Sequence, residues 1–197
     1  MIWLTSGAAL LAVLLAAAVA GVMRGLRTHL SPGTRAPDFT LQAAKGGAVQ
    51  TVELARLLRD GPVVLYFYPK SFSPGCTVEA YLFAERVAEF EHLGATVIGM
   101  SADDIETQRR FSTQECQSAF LVASDPKLRV ARRYDAALAL NFANRTSYVI
   151  ASDGRVAYAY VSLDPAKHVD NALAALREMV LPPLAGGTTV TPARTTN

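Results

Sequence analysis

The thiol of Cys76 stands in the stretch "YFYPKSFSPGCTVEA", residues 66–80, directly after a Ser-Pro-Gly turn at which a helix begins. Ser73 is a residue type that caps helix N-termini with its hydroxyl, Pro74 suits the first helical position, and Gly75 lets other groups approach the backbone closely. Cys76 then falls in the first turn, facing unpaired backbone N–H groups and the positive end of the helix dipole, surroundings that favour thiolate over thiol. A sulfur so placed is a nucleophile. The junction of a strand with the following helix is also where α/β folds carry their sites. The competing reading is a buried, chemically inert cysteine. The one other cysteine, Cys116, is too distant for a local metal knuckle, and His29, His92 and His168 show no ligand spacing around either thiol. Neither a metal nor any other cofactor is expected.

The elements that must hold Cys76 follow from the apolar periodicity. Residues 63–67, "VVLYF", form a continuous apolar run bounded by Gly61-Pro62 and Pro69, which predicts a central strand covered on both faces. Ala80, Phe83, Ala84, Val87 and Phe90 recur at helical spacing and predict one helix closing near Gly94. A second buried strand ("ATVIGMS"), a polar helix over 104–117, a short strand ("AFLVAS") and a helix over 127–134 continue a βαβα order. "TSYVIA" and "VAYAYV" meet at Ser152-Asp153-Gly154, a hairpin signal. A last helix buries Val169, Ala172, Leu173, Leu176 and Val180. This is an α/β domain with a mixed sheet flanked by helices.

The chain has 197 residues, enough for one ordinary domain with appendages. A charged fraction of 18% and a formal net charge of +2 advertise no nucleic-acid partner. From Ile2 to Met23 no charge interrupts a run long enough to cross a bilayer, with Arg24 and Arg27 after it. Residues 1–27 are therefore expected to form a single N-terminal transmembrane anchor, with the domain on the cytoplasmic side. The alternative is a cleaved signal sequence, with Ala18-Val19-Ala20 as the processing site and a periplasmic or secreted domain. Residues 28–37 read as a tether, 38–181 as the folded domain and 182–197, rich in Thr, Gly and Pro, as a disordered tail.

The segment "YPKSFSPGCTVEA" resembles the active-site signature of the peroxiredoxins (AhpC/TSA family), and of their bacterioferritin-comigratory or PrxQ subgroup in particular. The matching positions are Pro69, Ser73, Cys76, Thr77 and Glu79. "TRAPDFTL", "LVASDPKLRVARRYDA" and "NRTSYVIASDGRVAYAY" extend the likeness over most of the chain. The resemblance implies a thioredoxin-like fold and a thiol-dependent peroxidase in which Cys76 reduces hydrogen peroxide or organic hydroperoxides and becomes a sulfenic acid. It further implies that Ser73, where the family usually has Thr, hydrogen-bonds the peroxide and the sulfur. Pro69 would shield the sulfur from water, and Arg145 would hold the peroxide oxygens. Glu79 would orient an arginine or the helix start. Many members carry a resolving cysteine five residues after the peroxidatic one, where this chain has Tyr81. Cys116 is then the candidate resolving thiol, through an intramolecular disulfide with Cys76; otherwise the enzyme works with one cysteine. Thioredoxin or glutaredoxin is the expected reductant, and the expected state is a monomer or weak dimer. Two rivals remain: a membrane-tethered disulfide reductase, which needs Cys-x-x-Cys where this chain has "SPGC", and a non-catalytic binding module of the same fold.

Overall fold

The computed structural model describes residues 29–138 and 141–181. The expected anchor (1–27) and tail (182–197) lie outside these residues. Among those described, no helix is long and apolar enough to cross a membrane.

Val63–Phe67 (β3) organises the sheet. Its side chains offer no polar face, so the strand is stable only when both faces are covered, and all of it is buried. It pairs in parallel with Thr96–Ser101 (β4) and antiparallel with Thr146–Ile150 (β6). Leu121–Ser124 (β5) extends the parallel set beyond β4, and Val156–Val161 (β7) returns from β6 through the Ser152-Asp153-Gly154 turn. A hairpin of Thr40–Lys45 (β1) and Ala48–Glu53 (β2) completes a seven-stranded mixed sheet of order β2-β1-β5-β4-β3-β6-β7.

That hairpin is absent from the sequence reading, which assigned no strand before β3. Its Gly46-Gly47 turn takes positive φ at both positions, 57° and 81°, as tight two-residue hairpins require. The strand signal is faint because β2 forms an exposed sheet edge and buries only Val52.

Helices cover both faces in a thioredoxin-like arrangement. Val63, Leu65 and Phe67 point to one side, against Leu54 of Leu54–Asp60 (α1). Val64, Tyr66 and Tyr68 point to the other. There they meet Phe83 of Pro74–Glu85 (α2), Phe90 of Val87–His92 (α3), Phe111 of Ile105–Gln114 (α4) and, on the last helix, Leu173. Arg129–Arg133 (α5) adds Val130 and Ala131 to the first side; the last helix, Pro165–Val180 (α6), adds Val169 and Leu176 to the second. Each of the Val, Leu and Phe side chains among these contributes roughly 1.5–3 kcal/mol by leaving water.

Three expectations are corrected. The helix read through Phe90 is two helices, broken at Arg86, whose guanidinium turns aside to pair with Glu89 and with Asp170 of α6. The helix expected over 104–117 ends at Gln114, and Cys116 lies in the turn beyond it. Residues 30–37, expected as a tether, are bonded to the domain. Gly33 N–H donates to Val156 O (2.8 Å), Ala36 N–H to Gly154 O (2.8 Å), and Leu30 N–H to the Tyr148 hydroxyl (3.1 Å). The extended X-Pro backbone there suits strand-like docking along the β6–β7 turn.

Candidate active site

The register of β3 against β6 places the site. Phe67 pairs with Thr146, so Arg145 stands at the C-terminal end of β3, where the chain leaves the sheet to begin α2. The connecting loop is pinned on the other side. Ser71 N–H donates to Asp103 Oδ2 (2.7 Å), and the Tyr68 hydroxyl donates to Gln108 Oε1 (2.7 Å), both partners belonging to the β4–α4 region. Phe72 takes a left-handed backbone (φ 62°) and lays its ring edge-on to Phe111 of α4, at 5.2 Å between centroids. The loop geometry is thus set by three separate anchors before α2 starts.

Pro74 occupies the first turn of α2 and Cys76 follows in it, as the sequence predicts. Two details differ. Ser73 is the N-cap residue, but its hydroxyl caps nothing and donates instead to Lys70 O at 2.9 Å. The Cys76 and Thr77 N–H groups are not free either: both donate to Ser73 O, at 3.0 and 2.9 Å. The first turn has tightened on itself, as helix starts do when no side chain caps them. The donor that reaches the sulfur is a side chain. Arg145 Nη2 lies 3.4 Å from Cys76 Sγ, and among the described residues this is the hydrogen bond the sulfur receives.

The guanidinium is itself held by Glu79, three residues after Cys76 on the same helix, through Nη1 to Oε2. Both are buried, Glu79 completely and Arg145 to 6% exposure. Burial pushes the Glu79 carboxyl up, to about 8, against the opposing pull of the Arg145 charge and hydrogen bond. Gly75 makes the close approach possible, because a Cβ there would stand 3.1 Å from Arg145 Nη2. Pro69 is half-buried in the loop after β3 and Thr77 half-buried on α2, and Tyr81 is exposed. Ser73 and Thr77 are tied to the Cys76 turn through the backbone bonds to Ser73 O, while Cys76, Arg145 and Glu79 are joined by side-chain contacts.

Cys116 is free and fully buried, in the same apolar cluster as Cys76. Burial pushes its thiol well above the usual cysteine range. The next two residues, Gln117 and Ser118, both have left-handed φ (52° and 60°). Among the described residues no group of His, Cys, Asp and Glu is arranged to hold a metal ion.

The sequence reading missed a further layer behind Glu79. His168 of α6 is fully buried, its Nδ1 lies 2.7 Å from Ser147 Oγ, and its Nε2 lies 2.9 Å from Ser162 O. A signal existed: His168 precedes Ala172 and Leu176 at steps of four, on the buried face of the helix.

Residues 32–159 match the AhpC/TSA family. Peroxiredoxin Q of the chloroplast of Oryza sativa subsp. japonica is 33% identical over 76% of this chain and 68% of its own length. Peroxiredoxin Bcp of Bacillus subtilis (strain 168) is 33% identical over 75% of this chain and 95% of its own. The crystal structure of peroxidoxin BcpB from Mycobacterium tuberculosis superposes with a TM-score of 0.69 at 33% identity, covering 76% of this chain and 97% of that one. A buried cysteine in the first turn of a helix, met by an arginine at the end of the central strand, is thus set in a chain that belongs to the AhpC/TSA family and is a thiol-dependent peroxidase of the peroxiredoxin Q and Bcp type.

Proposed function

We propose that Cys76 is the peroxidatic residue. Its thiolate attacks one oxygen of a hydroperoxide, the O–O bond breaks, and sulfur is oxidised to a sulfenic acid as the peroxide is reduced. The departing oxygen takes a proton and leaves as water or an alcohol. The observation that carries this is the contact of Arg145 Nη2 with Cys76 Sγ at 3.4 Å, with Glu79 holding the guanidinium from behind. A fixed fork of donors beside the sulfur also faces the negative charge that develops on the leaving oxygen. Ser73 completes the site once peroxide enters, by turning its hydroxyl from Lys70 O towards the substrate, and Pro69 limits water on the loop side.

Cys116 resolves the sulfenic acid: its thiol displaces the hydroxyl as water and forms an intramolecular disulfide, which a thioredoxin or glutaredoxin then reduces. Both thiols are free and buried in one apolar cluster, and the bond forms when the turns that carry them bring their Cα atoms within about 7 Å. Residues 1–27 anchor the chain in a membrane with the domain on the cytoplasmic face, which favours lipid hydroperoxides as substrates by proximity. Their apolar run of bilayer length is what supports this part of the reading. The enzyme acts as a monomer or weak dimer.

Stopped-flow peroxide consumption tests the central assignment. Cys76→Ser removes turnover, and Arg145→Ala lowers it by about 10²–10³, the effect of losing one charge-stabilising donor. Turnover that survives Cys76→Ser moves the reaction to another residue. Linoleoyl hydroperoxide and hydrogen peroxide, compared with and without residues 1–27, test the anchor's role: an unchanged ratio of rates removes it.

A further inference from the structure

The Glu79–Arg145 pair leaves loose ends that no active-site contact explains. Glu79 Oε2 accepts from Arg145, but among the described residues Glu79 Oε1 is buried without a hydrogen-bond partner. The polar atom facing it is His168 Nδ1, at 3.9 Å. The tautomer of that ring follows from its neighbours. Nε2 meets Ser162 O, which can only accept, so Nε2 carries the proton. In the neutral ring Nδ1 is then a lone pair, and Ser147 Oγ donates to it. An ionised Oε1 would therefore face a lone pair with no donor, inside the core, which is an unfavourable arrangement. A proton between the two atoms removes the conflict once the Ser147 hydroxyl turns away, because the single Nδ1 lone pair takes one donor at a time, and a shift of about 1 Å brings Oε1 and Nδ1 to hydrogen-bond distance.

We propose that His168 is a positioning residue acting through Glu79: the two hold one proton between Oε1 and Nδ1, and that proton decides how much of the Arg145 charge is left for Cys76. The inference rests on Cys76 being the peroxidatic residue. With the proton present the carboxyl is neutral, and the guanidinium directs its full charge at the sulfur and at the departing oxygen. When the proton leaves for solvent as pH rises, the carboxylate cancels that charge and the site weakens. Burial acts on both partners in the same sense, pushing the carboxyl up and the imidazole down, so the carboxyl keeps the proton and the ring stays neutral. The other groups facing the dyad are Cys76 on the same helix as Glu79, Tyr66 on β3, Tyr160 of β7 with its ring 5.0 Å from the imidazole, and Asp164 at the start of α6. Burial pushes the Tyr66 hydroxyl up, which keeps it neutral across the range tested.

The consequence is a descending limb in the pH profile of kcat/KM for hydrogen peroxide that belongs to the dyad and not to the thiol. Three variants of the full chain read it. Glu79→Gln fixes the neutral form and abolishes the limb. Ser147→Ala frees the Nδ1 lone pair, so the dyad holds its proton more tightly and the limb moves to higher pH. His168→Phe removes the acceptor and moves it to lower pH. The two shifts are expected at about one pH unit, in opposite directions, whereas a purely structural role would lower activity at every pH alike. Circular dichroism verifies folding; where His168→Phe does not fold, Ser147→Ala and Glu79→Gln decide. A limb that stays in place in these folded variants overturns the proposal. Cys76→Ser separates the two ideas: if it is inactive while the limb ignores Ser147 and His168, the dyad alone is refuted, and if it is active, the assignment of Cys76 falls first.

Discussion

Replacing Arg145 by Met keeps most of the stem volume and removes the guanidinium, which exposes what Glu79 costs the fold when it stands alone. Arg145 supplies Glu79 with the hydrogen bond to Oε2, and among the described residues Oε1 has none. While the carboxyl holds a proton, the variant loses about 1–3 kcal/mol, the cost of a buried polar group without its partner. If the carboxyl must be charged, the cost rises to about 3–5 kcal/mol, that of an unpaired buried charge. Which applies depends on pH. An acid whose folded-state pKa lies above its unfolded value keeps its proton in the native chain after the unfolded chain has lost it. Native stability from this group is therefore greatest at low pH and declines as pH rises from the unfolded value towards the folded one. In the wild type that decline ends near the folded value of about 8. In Arg145→Met the opposing charge is gone, the folded value is higher still, and the decline continues. Urea unfolding at a series of pH values should then give a deficit of about 1–3 kcal/mol that is flat up to pH of about 8. Above this it widens by up to about 1.4 kcal/mol per pH unit. A deficit that is constant to pH of about 9.5, or that shrinks with rising pH, refutes this account of the buried pair.

Gly75→Ala brings a Cβ to 3.1 Å from Arg145 Nη2, so the guanidinium must retreat by a few tenths of an ångström. We expect kcat/KM for peroxide to fall several-fold with a melting temperature close to wild type; unchanged kinetics would show that this approach does not matter. One equivalent of peroxide should yield a monomeric Cys76–Cys116 disulfide in non-reducing peptide mass spectrometry, and its absence from the unmutated chain leaves a one-cysteine cycle. Gly61→Ala sets a Cβ 2.1 Å from the Gly94 carbonyl oxygen, where neither backbone can yield cheaply. A loss of about 1–3 kcal/mol or more in urea unfolding is expected, and a midpoint equal to wild type would contradict the packing described.

Much of the sheet was legible because its strands are either apolar throughout, as in residues 63–67, or joined by an Asp-Gly turn, as in the hairpin of residues 146–161. The first hairpin was hidden because β2 buries one residue and shows no alternation, although its Gly-Gly turn was in plain view. Within the site, Cys76 could be found from the turn before it. Arg145 could not be found from local chemistry, since the partner that makes it significant is contributed by a strand register invisible to any window of sequence. By type alone His168 is one of three scattered histidines, yet its step of four from Ala172 marks it as a core position. Pro32 and Pro37 make residues 28–37 look like a tether, whereas Ala36 and Leu30 pack on the domain.

The left-handed residues beside the two thiols have a kinetic meaning. Phe72, Gln117 and Ser118 each hold a conformation that costs an L residue roughly 1–2 kcal/mol, and each regains it when its turn opens. Those refunds lower the free energy of fraying at the two cysteine-bearing turns without loosening the sheet beneath them. Amide exchange at residues 72–76 and 116–118 should accordingly run through small local openings, faster than at 63–67, so that the sulfurs can meet while the remainder of the chain stays native.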